Sequence, residues 1–161
     1  MTTYYHSSPL LLSPGSIVQP GNWGRILNCY RYDPQAMPNA WLLARELVYE
    51  TIRAAQFPNL PSRLSCAFAF ESIDHANQCM NEFSPWNSLY EIELLEPNAP
   101  SHRGGFNLIR FPAPNVEFLP VVAQSAEAYW RGESIEIAEL ITKSPLKIKT
   151  LVSSGPRNYQ P

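Results

Sequence analysis

Charge is scarce in this chain. Asp, Glu, Lys and Arg make up 16% of its 161 residues and the formal net charge is −2, so there is no general pull toward a phosphate backbone. No basic stripe with interleaved aromatics runs along it, which argues against a dedicated duplex or RNA binder and predicts no stable nucleic-acid binding. Paired cysteines are missing as well. Cys29, Cys66 and Cys79 are odd in number and irregularly spaced, with no CxxC. That excludes a secreted disulfide framework and predicts reduced thiols in a cytoplasmic protein. No apolar run approaches the roughly 18–20 residues of a membrane span, and Leu10-Leu11-Leu12 is too short for a signal peptide. No membrane partner is expected, and no internal repeat or low-complexity tract is visible.

What the chain does have is proline, 16 residues of it, and 45% apolar residues. The prolines fix φ and end elements, so short strands and ordered loops are expected, with few long helices. Residues 2–8 are β-prone and stop at Pro9. Residues 13–24 read as loop, with Pro14-Gly15 and Pro20-Gly21 as turn signals. Pro38 and Pro58 bracket a helix over 39–57, with Leu43, Leu47, Val48 and Ile52 as its apolar stripe. Arg45, Glu46, Glu50 and Arg53 lie off that stripe. A buried strand is expected over 63–70. Ser72 then caps a helix whose inner face is Ile73, Ala76, Met80 and Phe83, with Asp74 in its first turn. Residues 88–95 alternate as a strand, with Tyr90, Ile92 and Leu94 on one side. Residues 101–118 read as loop with a short strand near 106–111. A helix over 119–131 ends at Gly132. Two strands follow, near 136–143 and 146–153, before a polar, frayed tail over 153–161. The prediction is one α+β domain spanning 1–161, with split antiparallel sheets and about three helices.

Most constellations that could carry chemistry are weak. His75 and Cys79, spaced i, i+4, make at most half a zinc site, and no second pair completes it, so no metal is expected. Gly104-Gly105 is a turn, and Pro20-Gly21-Asn22-Trp23-Gly24 matches no phosphate-loop pattern. There is no GxSxG elbow. Within that loop Trp23 could cap a pocket and Arg25 could grip a pyrophosphate bidentately; the plainer reading is a packed indole and a solvated guanidinium. Arg63 is a second phosphate candidate, with the same plain alternative. Tyr129-Trp130 reads as core, and His102-Arg103 lies in the unreadable loop. Among the carboxylates, Glu139 stands out. It opens an apolar strand after Ala138, where it can be held rigidly enough to support a cationic transition state. Glu136 is its nearest competitor.

The order of these elements resembles the ADP-ribosyltransferase fold, in its His-Tyr-Glu branch, and is similar to the small rifamycin-modifying transferases. Tyr5-His6-Ser7-Ser8 resembles the family's Tyr-His-Gly-Ser motif on the first strand. Phe68, with Ala76 eight residues on, matches the spacing of the family's aromatic residue and helical alanine. Leu89-Tyr90-Glu91-Ile92-Glu93-Leu94 and the closing Glu139-Leu140-Ile141 … Ser144-Pro145-Leu146-Lys147-Ile148 fit the fold's later strands. The resemblance implies NAD as co-substrate. It implies that His6, with Tyr5 beside it, binds a ribose, that the Ser7 backbone meets the nicotinamide amide, and that Phe68 stacks on nicotinamide. Glu139 would bond a ribose 2′-hydroxyl and stabilise the oxocarbenium-like species formed as nicotinamide leaves.

Two positions depart from the family pattern. Ser7 stands where glycine is usual, adding a Cβ at a close approach, and Phe68 lacks the usual tyrosine hydroxyl while keeping its stacking face. The expected activity is transfer of ADP-ribose to an acceptor that is a protein, a nucleic acid or a small molecule, with a toxin or effector role as one setting. NAD hydrolysis is the same chemistry with water as acceptor. A non-catalytic interaction or ligand-sensing domain is the rival from another class. A 2′-phosphotransferase would want more arginines than this chain has.

Overall fold

The computed structural model describes residues 3–155. They form one α+β domain with four helices and two antiparallel sheets. The first sheet, in the order β1-β4-β7-β2, contains Tyr4–Ser8 (β1), Ile17–Val18 (β2), Ser88–Leu94 (β4) and Leu146–Ser153 (β7). The second, in the order β3-β6-β5, contains Ala67–Ala69 (β3), Ser101–Gly105 (β5) and Ala138–Thr142 (β6). The helices are Asn22–Asn28 (α1), Met37–Gln56 (α2), Ile73–Phe83 (α3) and Phe118–Arg131 (α4). No helix among the described residues is long and apolar enough to cross a membrane.

Each layer follows from a side-chain pattern. Tyr90, Ile92 and Leu94 of β4 point one way, as period-2 alternation dictates. With Leu146 and Ile148 they pack on Ala67, Ala69 and Leu140 of the second sheet. The next residue of β6, Ile141, faces the opposite side and joins Tyr49, Val122, Ala126, Tyr129 and Trp130 beneath α2 and α4. Strand β6 is therefore covered on both faces, and all its residues are buried. The α3 helix starts as its cap predicts, with the Ser72 hydroxyl accepting from the Asp74 N–H. It lays Ala76, Cys79 and Met80 on Phe70, Leu89 and Ile137. The two sheets meet where β1 runs beside the end of β3: Tyr5 and Phe70 exchange backbone hydrogen bonds of 2.9 and 2.8 Å.

Several expectations are corrected. The stretch read as loop, 13–24, runs at its end into α1, a fourth helix over Asn22–Asn28. Gly21 opens it in the left-handed region at φ 89°. Gly24 lets it lie against the backbone of Leu64, where a Cβ would sit 2.2 Å from the carbonyl oxygen. The expected strand over 63–70 begins instead as a 3₁₀ turn, Arg63–Ser65, capped by Ser62. The strand placed near 106–111 lies earlier, as β5, and Phe106–Ile109 is a 3₁₀ turn. The apolar stripe of α2 is also wrong in part: Leu47 is 52% exposed, whereas Arg45, Glu46 and Tyr49 are buried. The inner face of α2 thus combines the ion-paired Arg45 and Glu46 with Val48, Tyr49 and Ile52, which pack in the core. Strand β7 is Leu146–Ser153, as expected, and residues 156–161 of the expected tail lie outside the described residues.

Gly104 marks the tightest junction. It pairs with Glu139 across β5 and β6, and a Cβ there would stand 2.3 Å from a ring carbon of the fully buried Tyr129. Gly104→Ala is expected to destabilise the domain at the upper end of the about 1–3 kcal/mol typical of overpacking. The shift in urea midpoint measures it, with the slope unchanged.

Candidate functional site

Glu139 lies on the α2/α4 side of β6, two residues from Ile141, and it is built into a chain of charges. Its Oε1 accepts from Arg63 Nη1 and, at 2.7 Å, from the Tyr129 hydroxyl. The same Arg63 nitrogen donates to that hydroxyl at 2.8 Å. Arg63 Nε donates to Glu46 Oε2 at 3.1 Å, and Arg45 Nη2 to Glu46 Oε1 at 3.0 Å. Arg45 Nη1 ends the chain on the Ile109 carbonyl at 2.8 Å. Glu46, Glu139 and Arg63 are 1%, 2% and 4% exposed. Two cations and two anions thus cancel inside the core, which is what allows any of them to remain there.

The electrostatics keep each group in one protonation state. Burial pushes the Tyr129 hydroxyl well up, and Glu139 adds to this against Arg63, so the hydroxyl stays a donor. Burial opposes the charge on Arg63, but Glu139 and Glu46 together outweigh it and raise its pKa. Burial likewise pushes Glu46 up, yet Arg63 and Arg45 hold it below the usual carboxylate range.

Both bonds to Glu139 fall on Oε1. Oε2 has no hydrogen-bond partner among the described residues, and it is not one of the fully enclosed unpaired atoms, which are Trp23 Nε1 and Arg45 Nε. The carboxylate is thus paired with Arg63, oriented through one oxygen and left with lone pairs on the other.

His6 presents a comparable free atom. Its Nδ1 lies 2.8 Å from the Phe68 carbonyl, across the junction of the sheets. A carbonyl only accepts, so Nδ1 carries the proton and Nε2 is a lone-pair acceptor. Burial lowers the pKa of the ring against that bond, which keeps it neutral. The Phe68 ring is half-buried, with the Arg63 guanidinium carbon 5.0 Å from its centroid. Phe68 pairs with Ile141, so its ring shares a face with Glu139. The fold therefore brings His6 to Phe68, and Phe68 to Glu139 through Arg63. No hydrogen bond joins His6 directly to Glu139.

The other expected site residues are spread more widely. Tyr5 turns toward the α3 side, and the Ser7 hydroxyl accepts from Asn87 Nδ2 at 2.9 Å. Trp23 is half-buried on α1, and Arg25 is exposed, donating to Asn22. Glu136 is exposed ahead of β6, its N–H on Asn107 Oδ1 at 3.0 Å. Arg63, expected to seek a phosphate, points inward onto two carboxylates. His75 Nδ1 accepts from the Ala138 N–H at 3.3 Å, and Cys79 is buried. No group of three or more possible metal ligands occurs among the described residues.

Arg63 and Tyr129 were missed as partners of Glu139, and Glu46 and Arg45 as the rest of the chain of charges. One sequence signal was available: Arg45, Glu46, Tyr49, Ile52 and Arg53 also fall at helical spacing, and they define the face that is buried. The family described as Protein of unknown function (DUF2441) matches residues 25–153, and the chain belongs to that family. The match takes in Glu46, Arg63, Phe68, Tyr129 and Glu139, and it begins after His6. No curated protein matches the chain.

Proposed function

We propose that this member of the family is an NAD-dependent ADP-ribosyltransferase, with its site around Glu139, Phe68 and His6. The observation that carries the reading is the setting of Glu139: a carboxylate anchored through Oε1 by Arg63 and Tyr129, with Oε2 unbonded among the described residues. A fixed anion with a free oxygen on a dry site is what stabilises positive charge developing on a ribose as nicotinamide departs. His6 Nε2 accepts a ribose hydroxyl, the Ser7 backbone meets the nicotinamide amide, and Phe68 offers the ring a stacking face. The split pair of antiparallel sheets, with β1 beside β3 and β6 next to it, supports an ADP-ribosyltransferase-like fold. Three free cysteines agree with a cytoplasmic setting, where NAD is available.

A second reading, a non-catalytic ligand-sensing domain, is favoured by the small exposure of Glu139 and by the missing hydroxyl at Phe68. Release of nicotinamide from NAD by the purified protein, measured with and without cell extract, separates the two. The transferase reading expects release that rises with extract, which supplies the acceptor. NAD binding by calorimetry without any release in either condition would establish the sensor instead, and absence of NAD binding ends both NAD readings.

A further inference from the structure

Most described arginines and lysines end on a carboxylate. Arg25, Arg31, Lys143 and Lys147 do not: none of the four forms an ion pair with any described residue. Of these, Arg25 and Lys143 come from distant parts of the chain and meet at one corner. Lys143 Nζ donates to Ser65 Oγ at 2.7 Å. Arg25 Nη1 lies 3.4 Å from the position a Cβ on Gly21 would take, and that position is 3.8 Å from Ser65 Cα. The Gly21 N–H donates to the Cys66 carbonyl at 2.9 Å, which pins the start of α1 to this corner. Both cations are exposed, so neither is held there by packing.

One further observation bears on the charge at the corner. The Cys66 thiol, pushed up to about 11 by burial, meets Lys143 as its largest opposing influence, followed by Arg63 and Arg53. Glu50 acts the other way on that thiol, as the last of these influences.

We propose that Arg25, Lys143 and Ser65 form an anion site that takes the phosphoryl groups of a small phosphate ester, a nucleotide diphosphate above all. The Arg25 guanidinium and the Lys143 ammonium keep N–H donors beyond those given to Asn22 and Ser65, and the Ser65 hydroxyl, which itself donates to the Ser62 carbonyl at 3.2 Å, positions the ammonium; the guanidinium fork suits two phosphate oxygens at once. The placement ties the site to the one above. Ser65 precedes β3 by two residues and Lys143 follows β6 directly, so the corner lies at one end of the paired strands. At about 3.3 Å per residue it stands on the order of 10–13 Å from Phe68 and Glu139, within the reach of a dinucleotide. Only the naming of a dinucleotide rests on the transferase reading; the anion site stands on its own geometry.

Calorimetry with inorganic pyrophosphate, NAD and nicotinamide riboside tests it on the full chain. The double variant Arg25→Ala, Lys143→Ala is compared with Lys147→Ala, an exposed lysine on β7 that also lacks an ion pair. Pyrophosphate and NAD are expected to bind the double variant roughly tenfold or more weakly, since two charge-assisted contacts are lost. Nicotinamide riboside, which has no phosphate, is expected to be unaffected, and Lys147→Ala to leave all three unchanged. The proposal is overturned by wild-type protein that fails to bind pyrophosphate at millimolar concentration. Equal losses in the double variant and in Lys147→Ala, or no loss in the double variant, overturn it too. Loss of pyrophosphate binding in a protein that never binds NAD keeps the anion site and removes the NAD reading.

Discussion

Replacing Glu46 with alanine is expected to destabilise the domain by about 3–5 kcal/mol, the usual cost of breaking a buried ion pair from one side. Glu46 is the shared anion of the chain: Arg45 bonds one of its oxygens and Arg63 the other. Its removal leaves two buried guanidinium groups with only Glu139 to balance them. Arg63 keeps Tyr129 and Glu139, but Arg45 keeps only the Ile109 carbonyl and the face of the Phe111 ring. Urea unfolding should show the loss as a lower midpoint. Glu46→Gln keeps the shape and one acceptor, so a smaller loss is expected. If Glu46→Ala unfolds within about 0.5 kcal/mol of the wild type, as a surface change would, the chain of charges contributes nothing to stability.

The same network fixes a pH dependence. The folded-state pKa of Glu46 lies below its ordinary value of 4.5, so the unfolded chain binds the proton more readily. The stabilisation is complete above pH 4.5 and is lost as pH falls through the folded value. His6, whose pKa is lowered from 6.5 by burial, adds a loss with the same sign: the unfolded chain takes up that proton first, so stability falls as pH drops below 6.5. Acid unfolding of the wild type should therefore begin below pH 6.5 and steepen below 4.5. In Glu46→Gln the second phase should flatten.

Glu139→Gln is expected to lower nicotinamide release by about a hundredfold or more, the scale of losing one preorganised charge-stabilising group. The glutamine retains an acceptor for Arg63 and Tyr129 but no longer opposes a developing positive charge. A drop in rate could also come from a loosened core, so Glu46→Gln serves as the comparison. It weakens the same network one residue away, without removing the anion at the site. Catalysis by Glu139 predicts a much larger drop in kcat for Glu139→Gln at similar stability loss. Equal drops in the two variants would make Glu139 a structural member of the core and nothing more.

Much of the fold could be read from local patterns, because local physics decides those elements. Prolines bracket α2, Ser72 caps α3, Gly132 closes α4, and alternation marks β4; each depends on residues within a few positions of one another. The helix α1 escaped notice because its packing depends on contact with Leu64, some forty residues away, where only Gly24 leaves room. The inner face of α2 was misread for a related reason. Hydropathy ranks Leu47 above Glu46, but it does not register that Arg63 and Arg45 wait on the inner side to neutralise the carboxylate.

The candidate site divides in the same way. By itself the amino-acid order determined that one small α+β domain forms, without a disulfide framework or a long apolar helix, and it singled out Glu139, His6 and Phe68. Tertiary structure alone decided what those side chains meet. It set the Phe68 carbonyl against His6 Nδ1, enclosed Arg63 between Glu46 and Glu139, and turned Tyr129 from core filling into a donor to the carboxylate. Ion pairing and hydrogen bonding act over about 3 Å between residues that stand as far apart as the 76 positions from Arg63 to Glu139 and beyond, and only the folded chain specifies which of them come that close.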